Sequence, residues 1–242
     1  MQQTVAQATG RRAGAFQNRR MGTLYLVRHA QASFGSDDYD RLSPLGHRQA
    51  QRLGAYWRGQ GLAFDTAISG TLRRHHETLQ GIAQGLQWQP APLELPGLNE
   101  YDSDALLATV HPEPLPPALT PEDYRHHFRL LREALAQWMA GRAQPAGMPA
   151  YPDFVAGIVA ALDHVRARCS GNVLMVSSGG PIATVIAQVL RTPPETTIEL
   201  NLRIRNSAVT EFAFTPKRHM LLTFNTLPHL DAGEFRQWQT YA

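Results

Sequence analysis

The stretch VLMVSSGGPIATVI, residues 173–186, constrains the fold more than any other part of the chain. Val173 to Val176 is an apolar run of strand length and reads as a buried strand. It breaks at Ser177-Ser178-Gly179-Gly180. Pro181 then suits the first turn of a helix, because its missing N–H would have had no intrahelical partner. A strand that feeds a glycine turn and then a helix N-terminus presents backbone N–H groups and a positive dipole end to whatever lies above it. Such a turn suits an anion, and the question is what it holds.

The rest of the chain repeats the alternation. TLYLVRH (23–29) is a short β-branched and aromatic strand ending in charge. Ser43-Pro44 starts a helix through about Gly59, with Leu45, Leu53, Tyr56 and Trp57 facing inward. FDTAISG (64–70) is the next strand, and a helix follows from Thr71 to Gln84. PLELPGL (92–98) is a weaker strand. Asp153 to Cys169 is a helix, and the helix after the glycine turn runs to Leu190. AVTEFAF (208–214) and HMLLTFN (219–225) form an antiparallel hairpin. No internal repeat is visible. Strands alternating with helices imply an α/β sandwich with a largely parallel sheet.

Two regions differ. Residues 103–150 are proline-rich around a helix, Tyr124 to Met139, and are expected to form a cap-like insertion over the core, the alternative being a merely decorative surface insertion. Residues 1–20 hold Arg11, Arg12, Arg19 and Arg20 and no acid, and are expected to be a disordered N-terminal extension; 21–242 is expected to be one domain. The net charge of +3 rests on those arginines: removing them from the 23 basic residues leaves fewer than the 20 acidic ones. The remainder carries no basic footprint for nucleic acid. No apolar run approaches the roughly 18 residues of a membrane span. Cys169 is the single cysteine, which excludes an intrachain disulfide and a thiolate metal cluster and suits the cytoplasm.

Ligands of open α/β sheets bind at the carboxyl ends of strands. Those ends carry Arg28-His29, then Ser69-Gly70 leading to Arg73 and Arg74, then Leu98-Asn99-Glu100, then the Ser-Ser-Gly-Gly turn. Arginine forks and a helix N-terminus suit a phosphate. A histidine beside it can act as a nucleophile, and a carboxylic acid can protonate a leaving alkoxide.

LYLVRHAQASF with YDRLSPLGHRQAQRLG, SGTLRRHHET, GLNE and VLMVSSGG together resemble the motifs of the histidine phosphatase superfamily, which includes phosphoglycerate mutases. FNTLPHL fits as well, so the resemblance spans most of residues 23–229. It implies a three-layer α/β/α sandwich with a mixed, mainly parallel sheet. It makes His29 the nucleophile that becomes phosphohistidine and Glu100 the proton donor. Arg28 and Arg74 would bind phosphate, Arg74 because it stands four residues before Thr78. Ser178 and Gly179 would complete the phosphate turn. Gln31 and Ser33 are candidates to line the pocket. His47, His164 and His229 read as structural, and His75-His76 as an exposed pair. No metal and no cofactor is implied.

Three positions depart from the family pattern. Ala30 replaces a glycine, Gly35 replaces an asparagine six residues after the nucleophile, and Ser178 replaces a histidine that would donate to the phosphoryl group. Loss of one preorganised donor costs roughly 10²–10³ in rate, about 3–4 kcal/mol, which still leaves room for an enzyme. Ser178 keeps a hydroxyl donor. His75, His76 or His111 are candidates to supply the lost charge, and Ser178→His is expected to raise the rate if the geometry is otherwise intact. The expectation is therefore a phosphomonoester hydrolase working through His29 on a small phosphorylated substrate. Two alternatives are a mutase of the same family, returning phosphate to another hydroxyl, and a weakened phospho-ligand binder.

Overall fold

The computed structural model describes residues 21–33, 40–113, 115–116 and 120–241. The segment 1–20 and Gly35 lie outside them.

In chain order the elements are β1 (Gly22–Arg28), α1 (Pro44–Gly59), β2 (Thr66–Ser69), α2 (Arg73–Leu86) and β3 (Leu93–Glu94). Then come α3 (Ser103–Leu107), α4 (Pro121–Met139), α5 (Tyr151–Arg168), β4 (Gly171–Ser177) and α6 (Gly179–Leu190). The chain closes with α7 (Pro194–Asn201), β5 (Val209–Phe214), β6 (His219–Thr226) and two short 3₁₀ turns. The sheet has six strands in the order β3-β2-β4-β1-β5-β6. The first four are mutually parallel; β5 runs antiparallel to β1, and β6 antiparallel to β5. That is the mixed, mainly parallel sheet of an α/β sandwich.

Side-chain alternation explains why both faces are covered. Leu24 and Leu26 of β1, Val173 and Met175 of β4, and Phe212 of β5 point to one face, against Ile158, Leu162 and Val165 of α5 and Ile182 and Ile186 of α6. Val27, Leu174 and Val176 point to the other, against Leu53 and Trp57 of α1 and Leu79 and Ile82 of α2. A strand buried on both faces must be apolar throughout, which is why β4 shows no polar alternation. Among the described residues no helix is long and apolar enough to cross a membrane.

The expected elements appear with ends shifted by a few residues. The weak strand shrinks to Leu93–Glu94, and a 3₁₀ turn, Pro96–Leu98, carries the chain on. α2 starts at Arg73 rather than Thr71. Its N-cap, Leu72, offers no side-chain oxygen, and Asp40 instead accepts the Arg73 N–H at 2.9 Å. α7 lies between the helix ending at Leu190 and the late hairpin, a stretch to which the sequence reading assigns no element: Pro194 opens the helix and Glu195 favours its N-terminal dipole.

Residues 103–150 carry α3 and α4. Thr120 and Asp123 form a reciprocal capping box that fixes the start of α4. Leu106, Leu107, Leu131, Leu135 and Trp138 pack with Ile198 of α7 as a separate small core. Trp138 is fully buried and meets Tyr101, Tyr151 and Phe154 edge-on or tilted. Truncating it to alanine would cost about 3–5 kcal/mol.

Candidate active site

The register of the parallel strands assembles the site. Arg28 lies opposite Ser177, and Ser69 opposite Val176. Three strand ends therefore release their loops side by side: Arg28-His29 from β1, Ser69-Gly70 from β2, and Ser177-Ser178 from β4. His29 N–H donates to the Ser177 carbonyl at 2.8 Å and ties the first loop to the third.

His29 is buried. Its Nδ1 lies 2.8 Å from the Ala30 carbonyl. A carbonyl can only accept, so Nδ1 carries the proton and Nε2 keeps its lone pair. Burial, followed by the nearby Arg28, Arg74 and His75, pushes the imidazole pKa well below its ordinary value. The ring is neutral at physiological pH, as a nucleophile must be. Thr78 fixes the loop behind it. Its hydroxyl accepts the Ala30 N–H at 3.0 Å and donates to the Arg74 carbonyl at 2.7 Å.

The motif LRRHHET splits its charges by helical geometry. Arg73 faces solvent and pairs with Glu77 at 2.7 Å, one turn on. Arg74 is buried, and its guanidinium meets Asp40 at 2.6 Å. Arg28 is also buried, and donates to the Ile204 carbonyl. His76 is partly exposed beside Glu94 at 3.3 Å.

Glu100 comes from the loop after the Pro96–Leu98 turn, anchored by Ser177 donating to the Leu98 carbonyl at 2.7 Å. Its carboxylate accepts the Gly180 N–H, with both oxygens 3.1 Å from that nitrogen. The glycine turn thus holds a carboxylate at one of its amides. Burial raises the Glu100 pKa against the opposing effect of the Gly180 hydrogen bond, Arg74 and Arg28. A proton is retained to higher pH than on an ordinary glutamate, which suits a proton donor.

Ser178 is the N-cap of α6 but makes no side-chain bond to its own helix. Its Oγ instead lies 2.7 Å from His75 Nε2. Both residues are fully buried, and the His75 ring centroid is 5.9 Å from that of His29. Burial, then Arg74 and His76, lowers the His75 pKa to about 3, so this ring too is neutral.

Residues 24–227 match the family model for the histidine phosphatase superfamily (branch 1). The chain belongs to that superfamily. A curated relative is the serine/threonine-protein phosphatase PGAM5, mitochondrial, of Homo sapiens, 25% identical over 201 residues. The match covers 82% of this chain but 60% of PGAM5, so the chain spans about three-fifths of that relative's length. Phosphoserine phosphatase from Entamoeba histolytica, solved in complex with 3-phosphoglyceric acid, is similar in fold, with a TM-score of 0.58, 21% identity, and coverage of 87% of this chain and 100% of that one. Alpha-ribazole phosphatase from Shigella flexneri gives a TM-score of 0.60 at 20% identity, covering 85% of this chain and 96% of that one.

Against the superfamily motifs, His29, Arg28, Arg74, Glu100, Ser178 and Gly179 all fall at the carboxyl edge of the sheet or the start of α6. One expectation is corrected. His75 and His76 are not an exposed pair, because the same helical turn that buries Arg74 buries His75 behind it. His111 bonds the Glu113 carbonyl at 2.6 Å and stays in the insertion. Gln31 accepts from the Ser43 hydroxyl at 2.7 Å, which binds its side chain to the start of α1. His229 is buried on Ser207 at 3.0 Å, and His47 is exposed. Asp40, on Arg74, was missed: a lone aspartate between loops carries no pattern in the sequence.

Proposed function

We propose that this chain is a phosphomonoester hydrolase working through a phosphohistidine on His29. The observation that carries the reading is the state of His29: neutral, with its Nδ1 proton committed to Ala30, beside two buried arginines. In the first step the Nε2 lone pair attacks phosphorus in line. The P–N bond forms as the bond to the ester oxygen breaks, and Glu100 gives that oxygen its proton. Arg28, Arg74, the Ser178 hydroxyl and the Gly179 backbone amide hold the phosphoryl oxygens. In the second step Glu100, now a carboxylate, takes a proton from water as the water oxygen attacks phosphorus. The P–N bond breaks, inorganic phosphate leaves, and neutral His29 returns.

The substrate in this reading is a small phosphorylated molecule, and residues 103–150 form the cap on its leaving-group side within a single domain of residues 21–242. Tyr101, next to Glu100, packs on Trp138 of α4, which supports that placement. The buried, solitary Cys169 supports a reducing compartment such as the cytoplasm. The test is hydrolysis of p-nitrophenyl phosphate from about pH 4 to about pH 9, with wild type beside His29→Ala. Activity lost in a folded variant supports the reading. Activity retained contradicts it.

A further inference from the structure

Ser178 sits where a serine ordinarily accepts a backbone N–H of its own helix. It does not do so, and the Gly180 N–H is taken by Glu100. Among the described residues its one side-chain hydrogen bond is with His75. His75 in turn has an Nδ1 that is buried and has no hydrogen-bond partner among the described residues. That nitrogen is pressed on Gly70, where a Cβ would come within 2.3 Å of it. A neutral imidazole has one N–H. A buried N–H without an acceptor is rarer than an under-used acceptor. Nδ1 is therefore the bare lone pair, and Nε2 carries the proton and donates to Ser178 Oγ. The serine oxygen is then an acceptor on the His75 side, and its own proton is left for another partner. The His29 and His75 ring centroids are 5.9 Å apart, so the His75–Ser178 pair stands next to the ring on which the phosphoryl group is proposed.

We propose that His75 is a positioning residue of the phosphoryl site: its Nε2–H fixes the Ser178 hydroxyl so that the serine proton points at the phosphoryl oxygens. This rests on the reading of His29 as the phosphorylated residue. The imidazole comes from α2, one residue after the phosphate-facing Arg74, rather than from the turn after β4. Gly70 is part of the arrangement, because any side chain there would occupy the ring's place.

The experiment is a double-mutant cycle in kcat/KM for p-nitrophenyl phosphate on the full chain. Ser178→Ala is expected to lower the value about 100-fold, and His75→Ala about 10- to 100-fold. In the Ser178→Ala background, His75→Ala should add little, because the hydroxyl it positions is gone. His75→Gln, whose amide can still donate to Ser178, should keep most of the wild-type rate. That rescue also answers the case in which the alanine variant is misfolded. Fully additive losses, a silent His75→Ala, or a glutamine variant as weak as alanine would each overturn the proposal while leaving His29 in place. Failure of the underlying reading shows differently, as turnover that survives His29→Ala or is absent from wild type. In that event the same variants are titrated with inorganic phosphate by calorimetry. Weaker phosphate binding in Ser178→Ala and His75→Ala, but not in His75→Gln, supports the positioning role, and equal binding in all of them rejects it.

Discussion

Both carboxylate oxygens of Glu100 lie 3.1 Å from the backbone nitrogen of Gly180, the second residue of α6. The contact exists because residue 180 has no side chain: a Cβ there would stand 2.2 Å from Glu100 Oε1 and 2.6 Å from the Tyr101 ring. Gly180→Ala must therefore move the carboxylate. Since general acid–base catalysis is worth roughly 10²–10⁴, the variant should lose a large part of that factor in kcat. Steady-state kinetics on an alkyl phosphate, whose poor leaving group needs the proton, checks it. An unchanged kcat would remove Glu100 from the acid role.

Arg73 and Arg74 are adjacent and chemically alike, yet one faces solvent and the other faces the site. Arg74→Ala should raise the inhibition constant of inorganic phosphate and lower kcat/KM by about 100-fold, the scale of one lost oxyanion donor. Arg73→Ala loses an exposed i,i+4 pair worth about 0.3–0.5 kcal/mol and should leave kinetics unchanged. Phosphate inhibition of the two variants side by side distinguishes them, and reversed effects would contradict the assignment.

The sequence alone suggests that Ser178→His should raise the rate. The structure reverses that expectation, because His75 already lies 2.7 Å from Ser178 Oγ in a fully buried space. An imidazole at both positions does not fit, and overpacking of this kind costs typically 1–3 kcal/mol. Ser178→His alone should lower both stability and rate. Combined with His75→Ala it should recover much of each. Thermal denaturation and turnover of the single and double variants test this together, and a stable, faster single variant would show that the His75 site is not closed.

Stability should fall as pH falls below about 6.5, the ordinary histidine value. Burial lowers His75 and His229 to about 3 in the folded chain. Between those values and about 6.5 the unfolded chain binds more protons than the folded one, so acid favours unfolding. The loss approaches about 1.4 kcal/mol per pH unit for each such histidine. Urea midpoints at about pH 7 and about pH 5 measure it, and a midpoint that rises in acid would contradict the burial of these rings.

Much of this was legible in the residues. An apolar run without alternation declared β4 a central strand, and Pro181 with its two glycines declared the helix start. The resemblance to the family's arginine motif, counted back from Thr78, singled out Arg74, which is the buried one of the pair. What the sequence hid has a common physical cause. His75 and Asp40 matter through partners distant in the chain, and no local period places a histidine against a serine 103 residues away. α7 was hidden because proline at a helix's first turn looks the same as proline in a loop.

The most direct measurement is intact mass of the enzyme trapped during turnover. Phosphorylated substrate is mixed with wild type and quenched in alkali, where a phosphohistidine survives. The account predicts a gain of one phosphoryl group in wild type, located on His29 by peptide fragmentation and absent from His29→Ala. Turnover with no phosphorylated species under conditions that trap it, or a phosphoryl group on another residue, would contradict the central claim.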